Sequence, residues 1–311
     1  MRRLTLLVVV AFAVSGCAAP VAPAAGSDRA QSIPVVAPLP TLAPTPSSLP
    51  SKPPVVVSPG VLPARDAAIA FASWRPAGRK IALTFDDGGS KRAIRAVVAV
   101  AAATKTPVTF FPFGRSLRAY PELWRAIASA GFPIGNHTLG HRFLDRLLER
   151  SGAQAVEREI RGFAELAHRY GIELIPVFRP PYGEHNASVD AIAARAGFPY
   201  VATWNTTFAD TSRLCANSVA HRFDLATRGR RGAIILAHVS DDLTPAMLEA
   251  VIADYRARGL PPVSLPELLG GSPAVIDWAK AAAIGGTLPR PVDVTDTVLR
   301  PAEQLGRTCP S

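Results

Sequence analysis

The sequence predicts an α/β fold in which parallel strands form a sheet or a barrel. From about residue 79 onward, short apolar runs alternate with segments of helical periodicity, as in consecutive strand–helix units. Several of the apolar runs end in charged or imidazole side chains. Because the chemistry of such folds lies at the carboxyl ends of the strands, these end residues are the candidates for a functional site.

Six apolar segments are predicted as strands or as extended approaches to a motif. In chain order they are Lys80–Phe85, Val108–Phe113, Pro133–Asn136, Leu174–Phe178, Tyr200–Trp204 and Ala233–Ala237. Two of the predicted helices have recognisable ends. One is capped by Ser151 and stops before Gly171, and the other begins at Thr244-Pro245 and stops at Gly259.

The first seventeen residues predict a secretory signal peptide. Two arginines precede an apolar run that is too short to cross a bilayer. The following block, Val14-Ser15-Gly16-Cys17, resembles the bacterial lipobox, which implies that lipid is attached to Cys17. We therefore expect an exported protein that is anchored to the cell membrane and faces the cell wall or periplasm. An ordinary signal peptide with a chance cysteine is the alternative.

Composition divides the rest of the chain into three segments. Residues 18–63 contain twelve prolines and no persistent period, which predicts an extended linker, although a disordered spacer is equally compatible. Residues 64–270 hold the strand–helix pattern of the predicted domain, and residues 271–311 are predicted as a mostly irregular tail. Cys215 and Cys309 remain after Cys17, and in an exported protein they are candidates for a disulfide.

The chain is basic, with a formal net charge of +10. Its arginines are scattered and do not form a stripe with interleaved aromatic residues, which argues against nucleic-acid binding. A basic surface favours contact with acidic wall polymers or anionic lipid headgroups, while a general abundance of arginine explains the charge equally well. We expect a monomer.

Two adjacent aspartates end the first predicted strand. Burying one ionised carboxylate is costly, and burying two is worse unless a cation or an arginine compensates. Because neighbouring side chains of an extended segment point different ways, one of Asp86 and Asp87 can bind a metal while the other faces a reacting water. Gly88-Gly89 lets the backbone turn sharply there. Taken alone, Asp-Asp-Gly is also a common turn.

A histidine pair follows the Pro133–Asn136 segment. The spacing of four places His137 and His141 on one face of a helical turn, which suits the capture of one metal ion. With one carboxylate they make a set of three ligands that leaves positions open for water and substrate, as in catalytic zinc sites. A pair of surface histidines is the alternative for this spacing alone.

Two later strand ends add an arginine and another histidine. Arg179 starts the segment Arg179-Pro180-Pro181-Tyr182-Gly183, and its guanidinium has the fork geometry that holds a carboxylate. The prolines and the glycine fix this loop, so a backbone N–H there can serve a developing oxyanion. The apolar run before His238 delivers that imidazole to a strand end, although a lone histidine in this position is more often structural.

Four segments together resemble the motifs of a known family. They are Thr84-Phe85-Asp86-Asp87-Gly88, His137-Thr138-Leu139-Gly140-His141, Arg179-Pro180-Pro181-Tyr182-Gly183 and Leu236-Ala237-His238. Their order and spacing resemble four of the five motifs of the NodB-type polysaccharide deacetylases, family 4 of the carbohydrate esterases. The resemblance covers roughly residues 79–270. It implies a distorted (β/α) barrel, in agreement with the strand–helix alternation.

The resemblance implies a metal site and a base. Asp87, His137 and His141 match the family's ligands of Zn²⁺ or a similar divalent ion such as Co²⁺. Asp86 matches the general base that activates a metal-bound water. The metal lowers the pKa of that water and polarises the acetyl carbonyl.

The remaining matches imply roles around the acetyl group. Arg179 orients Asp86, and the Tyr182 backbone N–H helps to stabilise the oxyanion. His238 protonates the departing sugar amine, and Leu236 lines the pocket for the acetyl methyl.

One segment departs from the family's pattern. The fourth motif usually supplies a tryptophan and then an aspartate that pairs with the catalytic histidine. Trp204 is present here, but Thr207 occupies the expected aspartate position, which predicts an unpaired His238 and a weaker acid. Asp210, three residues further on, offers another route to the imidazole.

The resemblance implies a metal-dependent hydrolase that removes N-acetyl groups from envelope polysaccharide, with peptidoglycan or a related N-acetylhexosamine polymer as the substrate. O-acetyl esters of polysaccharide stay open, because one hydrolytic site can serve amide or ester. The altered fourth motif favours a second function, a glycan-binding lipoprotein with weak or no activity. A metal-binding surface lipoprotein is a third hypothesis, which leaves Arg179 and His238 unexplained.

Overall fold

The structure is a computed structural model that describes residues 62, 67–211, 218–239 and 242–297. The predictions for the signal peptide, for Cys17 and for all of the linker except Leu62 lie outside the described residues, as do Cys215 and Cys309. In the part of the chain that is described, no helix is both long and apolar enough to span a bilayer.

Eight strands and ten helices make up the described fold. The strands are β1 Ile69–Phe71, β2 Ile81–Asp87, β3 Thr109–Pro112, β4 Val177–Phe178, β5 Tyr200–Ala202, β6 Thr206–Thr207, β7 Ile234–His238 and β8 Pro262–Val263. The helices are α1 Lys91–Thr104, α2 Gly114–Ala119, α3 Pro121–Ser129, α4 Leu144–Ser151, α5 Ala153–Arg169, α6 Ala187–Arg195, α7 Val219–Thr227, α8 Leu243–Ala257, α9 Leu265–Leu268 and α10 Trp278–Gly285.

Two parallel sheets carry the fold, which confirms the predicted α/β class. One sheet has the order β1-β5-β4, and the other has the order β3-β2-β7-β6 with β8 also paired to β2. Isolated bridges from Ile134 to Phe110 and from Asn136 to Phe178 connect the two sheets. The segment Pro133–Asn136, predicted to lead into the histidine motif, provides this link, and the described strands do not close into one continuous hydrogen-bonded barrel.

The central strand β2 is buried on both faces, as expected for a parallel strand covered by helices. Ile81, Leu83 and Phe85 face the larger core cluster, which includes the apolar side of α1. Ala82 faces a second cluster formed with Ile234 of β7. Because side chains alternate along a strand, Thr84 and Asp86 share the inner face with Ala82. The inner face of β2 thus changes from apolar to charged towards its carboxyl end.

Helix α1 follows the strand end directly and covers the larger core. The Ser90 side chain caps the helix by accepting from the Ala93 N–H at 3.3 Å. Its apolar positions recur at helical spacing, with Ile94, Val97 and Ala101 fully buried. The helix packs against α8 and α10. Its cap therefore fixes the loop that follows the aspartate pair.

The structure corrects one detail of the sequence prediction. Ser151 is the last residue of α4 and does not cap α5, because the chain turns at Gly152, which has a φ of 74°. Gly171 and Gly259 do follow helix ends, with φ values of 68° and 66°. In the segment predicted as a mostly irregular tail, α10 packs against α1, so its described part contributes to the fold.

Candidate active site

The register of β2 with β7 brings a carboxylate and an imidazole side by side. Ala82, Thr84 and Asp86 of β2 lie opposite Ile234, Leu236 and His238 of β7. The side chains of each opposing pair point to the inner face of the sheet. Asp86 and His238 are the last of these pairs along the strands, so they lie at the carboxyl edge of the sheet. Val239 continues this contact, because its N–H donates to the Asp86 carbonyl at 3.2 Å. The strand ends therefore place Asp86 and His238 in one site, as the sequence predicts.

Asp87 ends β2 in a left-handed backbone conformation. Its φ of 70° is uncommon for a residue other than glycine. The turn brings the Asp87 carboxylate to the histidines: its Oδ1 lies 3.6 Å from His137 Nε2 and 3.2 Å from His141 Nε2. Asp86 Oδ2 lies 3.7 Å from the same His137 nitrogen. Both aspartates thus reach one cavity, although regular alternation would send them to opposite faces.

The three predicted ligands form a compact donor set. One ligand atom each from Asp87, His137 and His141 lies within 4.8 Å of the others. Asp87 Oδ1 is buried and makes no hydrogen bond to any residue that the structure describes. An orphaned buried carboxylate oxygen between two imidazole nitrogens is costly unless a cation binds there. The residues present therefore fit a divalent metal, and this donor set of nitrogen and oxygen suits zinc.

The metal-facing nitrogen of His137 is selected by a hydrogen bond on the other side of its ring. His137 Nδ1 lies 2.8 Å from the Arg179 carbonyl oxygen, which can only accept. The imidazole therefore carries its proton on Nδ1 and leaves the Nε2 lone pair free for a metal. This carbonyl belongs to the segment whose arginine side chain holds Asp86.

The histidine motif is a loop, and the predicted helical turn is wrong. Thr138 and His141 have φ values of 67° and 53°, which no α-helix contains. Side chains replace the helical hydrogen bonds. Asn136 Oδ1 accepts from the Thr138 N–H at 3.0 Å, and Thr138 Oγ1 accepts from the His141 N–H at 3.0 Å. Asn136 also donates from Nδ2 to the Ile160 carbonyl at 2.9 Å, which ties the loop to α5.

Arg179 is hydrogen-bonded to Asp86 and is held in place by several further contacts. The arginine is fully buried, and its Nη1 donates to Asp86 Oδ1 at 2.9 Å and to Thr84 Oγ1 at 2.7 Å. Nε donates to the Ala202 carbonyl at 3.1 Å, and Nη2 donates to the Thr203 carbonyl at 3.3 Å. The guanidinium also lies 4.3 Å from the centre of the Phe111 ring. These contacts leave the arginine a single orientation, and through it they orient Asp86.

The structure overturns the prediction that His238 has no carboxylate partner. Asp210 Oδ1 lies 2.8 Å from His238 Nδ1, while Asp210 Oδ2 accepts from the His238 backbone N–H at 2.6 Å. Thr244 Oγ1 donates to the same Oδ2 at 2.8 Å. Thr207 plays no part in this network, since its Oγ1 accepts from the Ala209 N–H at 3.0 Å. The aspartate that pairs with the histidine is therefore three residues later than the sequence register suggested.

Burial and charge shift the pKa values of these groups strongly. Burial lowers the pKa of His238, but the hydrogen-bonded Asp210 carboxylate raises it more, with help from Asp87 and Asp86, to about 9. Burial raises the pKa of Asp210, and the charge and hydrogen bonds of His238 hold it below its usual range. Burial also raises the pKa of Asp87, but the nearby imidazoles keep it far below the ordinary value. Without a bound metal, His238 is protonated at neutral pH.

The three remaining candidate residues lie around this centre. The Tyr182 side chain is 49% exposed, its ring stacks 3.7 Å from the Phe143 ring, and it meets the His141 ring edge-on at 4.7 Å. Trp204 packs so closely on Gly183 that a Cβ there would lie 3.0 Å from the indole. Leu236 is buried on the inner face of β7. The predicted roles of Tyr182 in oxyanion binding and of Leu236 in methyl binding stay predictions.

Two contributors to the site lacked a strong signal in the sequence. Asn136 directly precedes the histidine motif, but nothing in its spacing indicates that it shapes the histidine loop. Thr84 bridges the Arg179 guanidinium to the β7 backbone, because its hydroxyl donates to the Ile235 carbonyl at 2.7 Å. Thr84 opens the first motif and lies two residues before Asp86 on the inner face, but neither fact predicts its contact with Arg179.

Comparison with known proteins places the chain among characterised relatives. Residues 75–201 match the family described as polysaccharide deacetylase. A chitooligosaccharide deacetylase of Rhizobium leguminosarum bv. trifolii is 30% identical over 203 residues, which cover 61% of this chain and 91% of that protein. A peptidoglycan-N-acetylglucosamine deacetylase of Bacillus cereus is 27% identical over 205 residues, which cover 64% of this chain and 93% of that protein.

A solved structure agrees with these sequence relatives. The family 4 carbohydrate esterase from Streptomyces lividans, in complex with acetate, matches with a TM-score of 0.55 and 25% identity. The match covers 64% of this chain and 98% of the esterase. Asp86, Asp87, His137, His141 and Arg179 fall within the matched family segment, whereas Asp210 and His238 lie beyond it.

Proposed function

Because this chain belongs to the NodB-type polysaccharide deacetylase family, carbohydrate esterase family 4, we propose that it is a metal-dependent hydrolase that removes N-acetyl groups from an envelope polysaccharide. The observation that carries the proposal is that two hydrogen-bonded pairs adjoin the metal-ligand set. Asp86 is paired with Arg179, and His238, which lies beside Asp86 on the neighbouring strand, is paired with Asp210. A base and an acid next to one centre are what amide hydrolysis needs.

A divalent metal, for which Zn²⁺ is our proposal, would be held by Asp87, His137 and His141. When bound, such an ion acidifies a water and polarises the acetyl carbonyl. Asp86, oriented by Arg179, takes the proton of the attacking water on Oδ2, the oxygen that does not bind the arginine. The Tyr182 backbone N–H is our candidate donor to the oxyanion that develops on the acetyl oxygen.

The acid half of the site completes the reaction. Asp210 binds the Nδ1–H of His238, so the proton for the leaving amine is on Nε2. The Asp210 carboxylate raises the pKa of His238 above its ordinary value, which favours the protonated form of the imidazole. Transfer of that proton to the sugar nitrogen lets the C–N bond break with a neutral amine as the leaving group. A glycan binder without activity has no need for this second pair, so the pairing favours the enzyme.

The substrate we propose is a polymer of N-acetylhexosamine, with peptidoglycan as the first choice. Support comes from the relatives, which are named for peptidoglycan N-acetylglucosamine and for chitooligosaccharide. We also propose that lipid on Cys17 and the linker of residues 18–63 hold the domain beside the wall, on the strength of the N-terminal sequence. A Cys17→Ser variant is then expected to lose its covalently attached lipid, which mass spectrometry of the purified protein measures.

Acetate release tests the proposed activity. The purified protein is incubated with Zn²⁺ or Co²⁺ on peptidoglycan, chitooligosaccharides and an O-acetylated glycan, and acetate is measured with and without a chelator. We expect release from an N-acetylated member and a loss on the order of 10³-fold in Asp86→Asn, the base variant. Asp254→Asn, a matched change near the end of α8, is expected to keep the wild-type rate. Equal release by wild type and Asp86→Asn on every glycan would contradict the proposal.

A further inference from the structure

Five arginines surround one concavity at the edge of the fold opposite the catalytic residues. The concavity has a volume of about 510 Å³ and is lined by Arg79, Arg228, Gly229, Arg230, Arg231, Arg258 and Leu260. These residues precede β2, β7 and β8, so they lie at the amino ends of the strands. At about 3.3 Å per residue, the seven residues of β2 separate this edge from Asp86 and Asp87 by roughly 20 Å.

Two of the arginines are fixed to the backbone of neighbouring loops. Arg79 donates from Nε to the Gly259 carbonyl at 3.1 Å and from Nη2 to the Arg258 carbonyl at 2.6 Å. Arg258 donates from Nη1 to the Gly229 carbonyl at 3.2 Å and from Nη2 to the Thr227 carbonyl at 2.7 Å. Their charges are therefore held in place before any ligand arrives, which lowers the entropic cost of binding.

The loop that carries the other arginines is also held in a defined position. The Gly229 N–H donates to the buried Tyr255 hydroxyl at 3.0 Å, and that hydroxyl donates to the Ala226 carbonyl at 2.8 Å. A Cβ at Gly229 would lie 2.4 Å from the same hydroxyl, so glycine is required there. The contact tethers the loop between α7 and β7 to the end of α8.

Charge around the concavity is unbalanced. Arg228 pairs with Asp224, and Arg258 pairs with Asp254 at 2.6 Å. Arg230 and Arg231 are exposed, and their guanidinium groups make no ion pair or hydrogen bond with any described residue. Five guanidinium groups thus face two carboxylates. A ligand that supplies negative charge would satisfy the remaining donors.

We propose that this arginine concavity binds the phosphate groups of anionic phospholipid headgroups. Guanidinium groups bind phosphate through paired N–H donors, and arginines near an anionic membrane surface each add to the attraction. The arginines come from three loops at one end of the fold, so they can meet a lipid surface together. The net charge of +10 adds a long-range attraction of the same sign.

Docking through this edge would orient the domain. Because the concavity and the catalytic residues lie at opposite ends of the strands, the catalytic edge then faces away from the lipid surface. The value of this orientation for a wall substrate rests on the proposed function, whereas the lipid contact itself does not.

Vesicle binding tests the proposal with the full chain. A Cys17→Ser background prevents lipidation, and binding to vesicles of phosphatidylglycerol and phosphatidylcholine is compared with binding to phosphatidylcholine alone. Every variant carries the same N-terminal segment, so the contribution of that segment to vesicle binding is constant across the comparison. In this background, Arg230→Glu with Arg231→Glu is expected to weaken binding to the anionic vesicles by at least about 25-fold, roughly fivefold for each arginine.

A matched charge reversal decides whether the site or the net charge matters. Arg150→Glu with Arg158→Glu makes the same change on α4 and α5, where both side chains are exposed. An equal loss of vesicle binding in this control would overturn the proposal. Competition by glycerol phosphate at the phosphate concentration of the vesicles would overturn it as well, because the ligand would then be a soluble phosphate. Acetate release from soluble chitooligosaccharides by the Arg230/Arg231 variant is expected to be unchanged, which separates this test from that of the activity.

Discussion

The base half of the site and the acid half use the same kind of pair but hold it differently. Asp86 and Arg179 are both almost fully buried, and the arginine is fixed by further bonds to Thr84 and to the β5 end. His238 keeps 12% of its side chain exposed, while its partner Asp210 is buried beneath it. The base half is thus a rigid support, and the acid half combines a buried carboxylate with an imidazole that faces the site.

The difference follows from what each half has to do. The base needs a fixed position, which the hydrogen bond from the buried arginine supplies. The acid needs a proton that it can give away, so its imidazole has to reach the substrate while the carboxylate behind it raises its pKa. Removing the buried partner should therefore affect stability most in the base half and the pH profile most in the acid half.

Arg179→Ala should break the base half and give the largest effect. It leaves Asp86 as a buried carboxylate without its partner, for which we expect a loss of about 3–5 kcal/mol in the free energy of unfolding. Acetate release should fall on the order of 10³-fold, because the base is misplaced. Urea unfolding and acetate assays measure both. As a control, Arg179→Lys keeps the positive charge but loses the paired N–H donors of the guanidinium. If Arg179→Lys were as stable and active as wild type, the role of the guanidinium in orienting Asp86 would be contradicted.

Asp210→Asn should weaken the acid half without unfolding the protein. The amide can keep the Thr244 and backbone contacts but removes the charge that raises the pKa of His238. We expect kcat to fall roughly 10- to 100-fold. The alkaline limb of the kcat profile should move to lower pH than in wild type. A profile with an unchanged alkaline limb would show that Asp210 does not set the pKa of the acid.

In metal-free protein, the acid half should also make the free energy of unfolding depend on pH. In the folded protein the pKa of His238 is raised to about 9. The His238–Asp210 pair therefore contributes its full share to the free energy of unfolding below about pH 6.5, and this contribution is lost as the pH rises through 9. Asp210 has a lowered pKa, so its contribution is lost as the solution becomes acidic. The free energy of unfolding of wild type should exceed that of Asp210→Asn by about 1–3 kcal/mol between roughly pH 4 and 6.5. Urea unfolding of both proteins at pH 6 and above pH 9 measures this difference, which should be smaller at the higher pH.

Thr207→Asp should have the smallest effect. The new carboxylate can accept the Ala209 N–H as the hydroxyl does, while His238 Nδ1 is already bound to Asp210. We expect acetate release within about threefold of wild type, since it adds no contact to the reacting groups. A large gain would indicate that the acid half lacks a partner after all, and a large loss would reveal a separate role for Thr207.

Sequence reasoning was strongest for residues inside contiguous motifs. Asp86, Asp87, His137, His141, Arg179 and His238 were predicted for one site because each follows an apolar strand or extended segment, and parallel strand ends meet at one edge. It was weakest where the backbone leaves regular geometry. The four-residue spacing of the histidines indicated a helical turn, but Asn136 and Thr138 stabilise a loop with two residues at positive φ.

The sequence by itself determined which groups stand at the strand ends, because burial of apolar strands forces the polar residues that follow them to the edge. Only the tertiary structure decided which carboxylate reaches His238, since Asp210 is 28 residues away and the path of the loop sets its register. Tertiary structure also gathered scattered arginines from three loops into one concavity at the opposite edge. Both results depend on how strands pair across the sheet, which the local sequence does not encode.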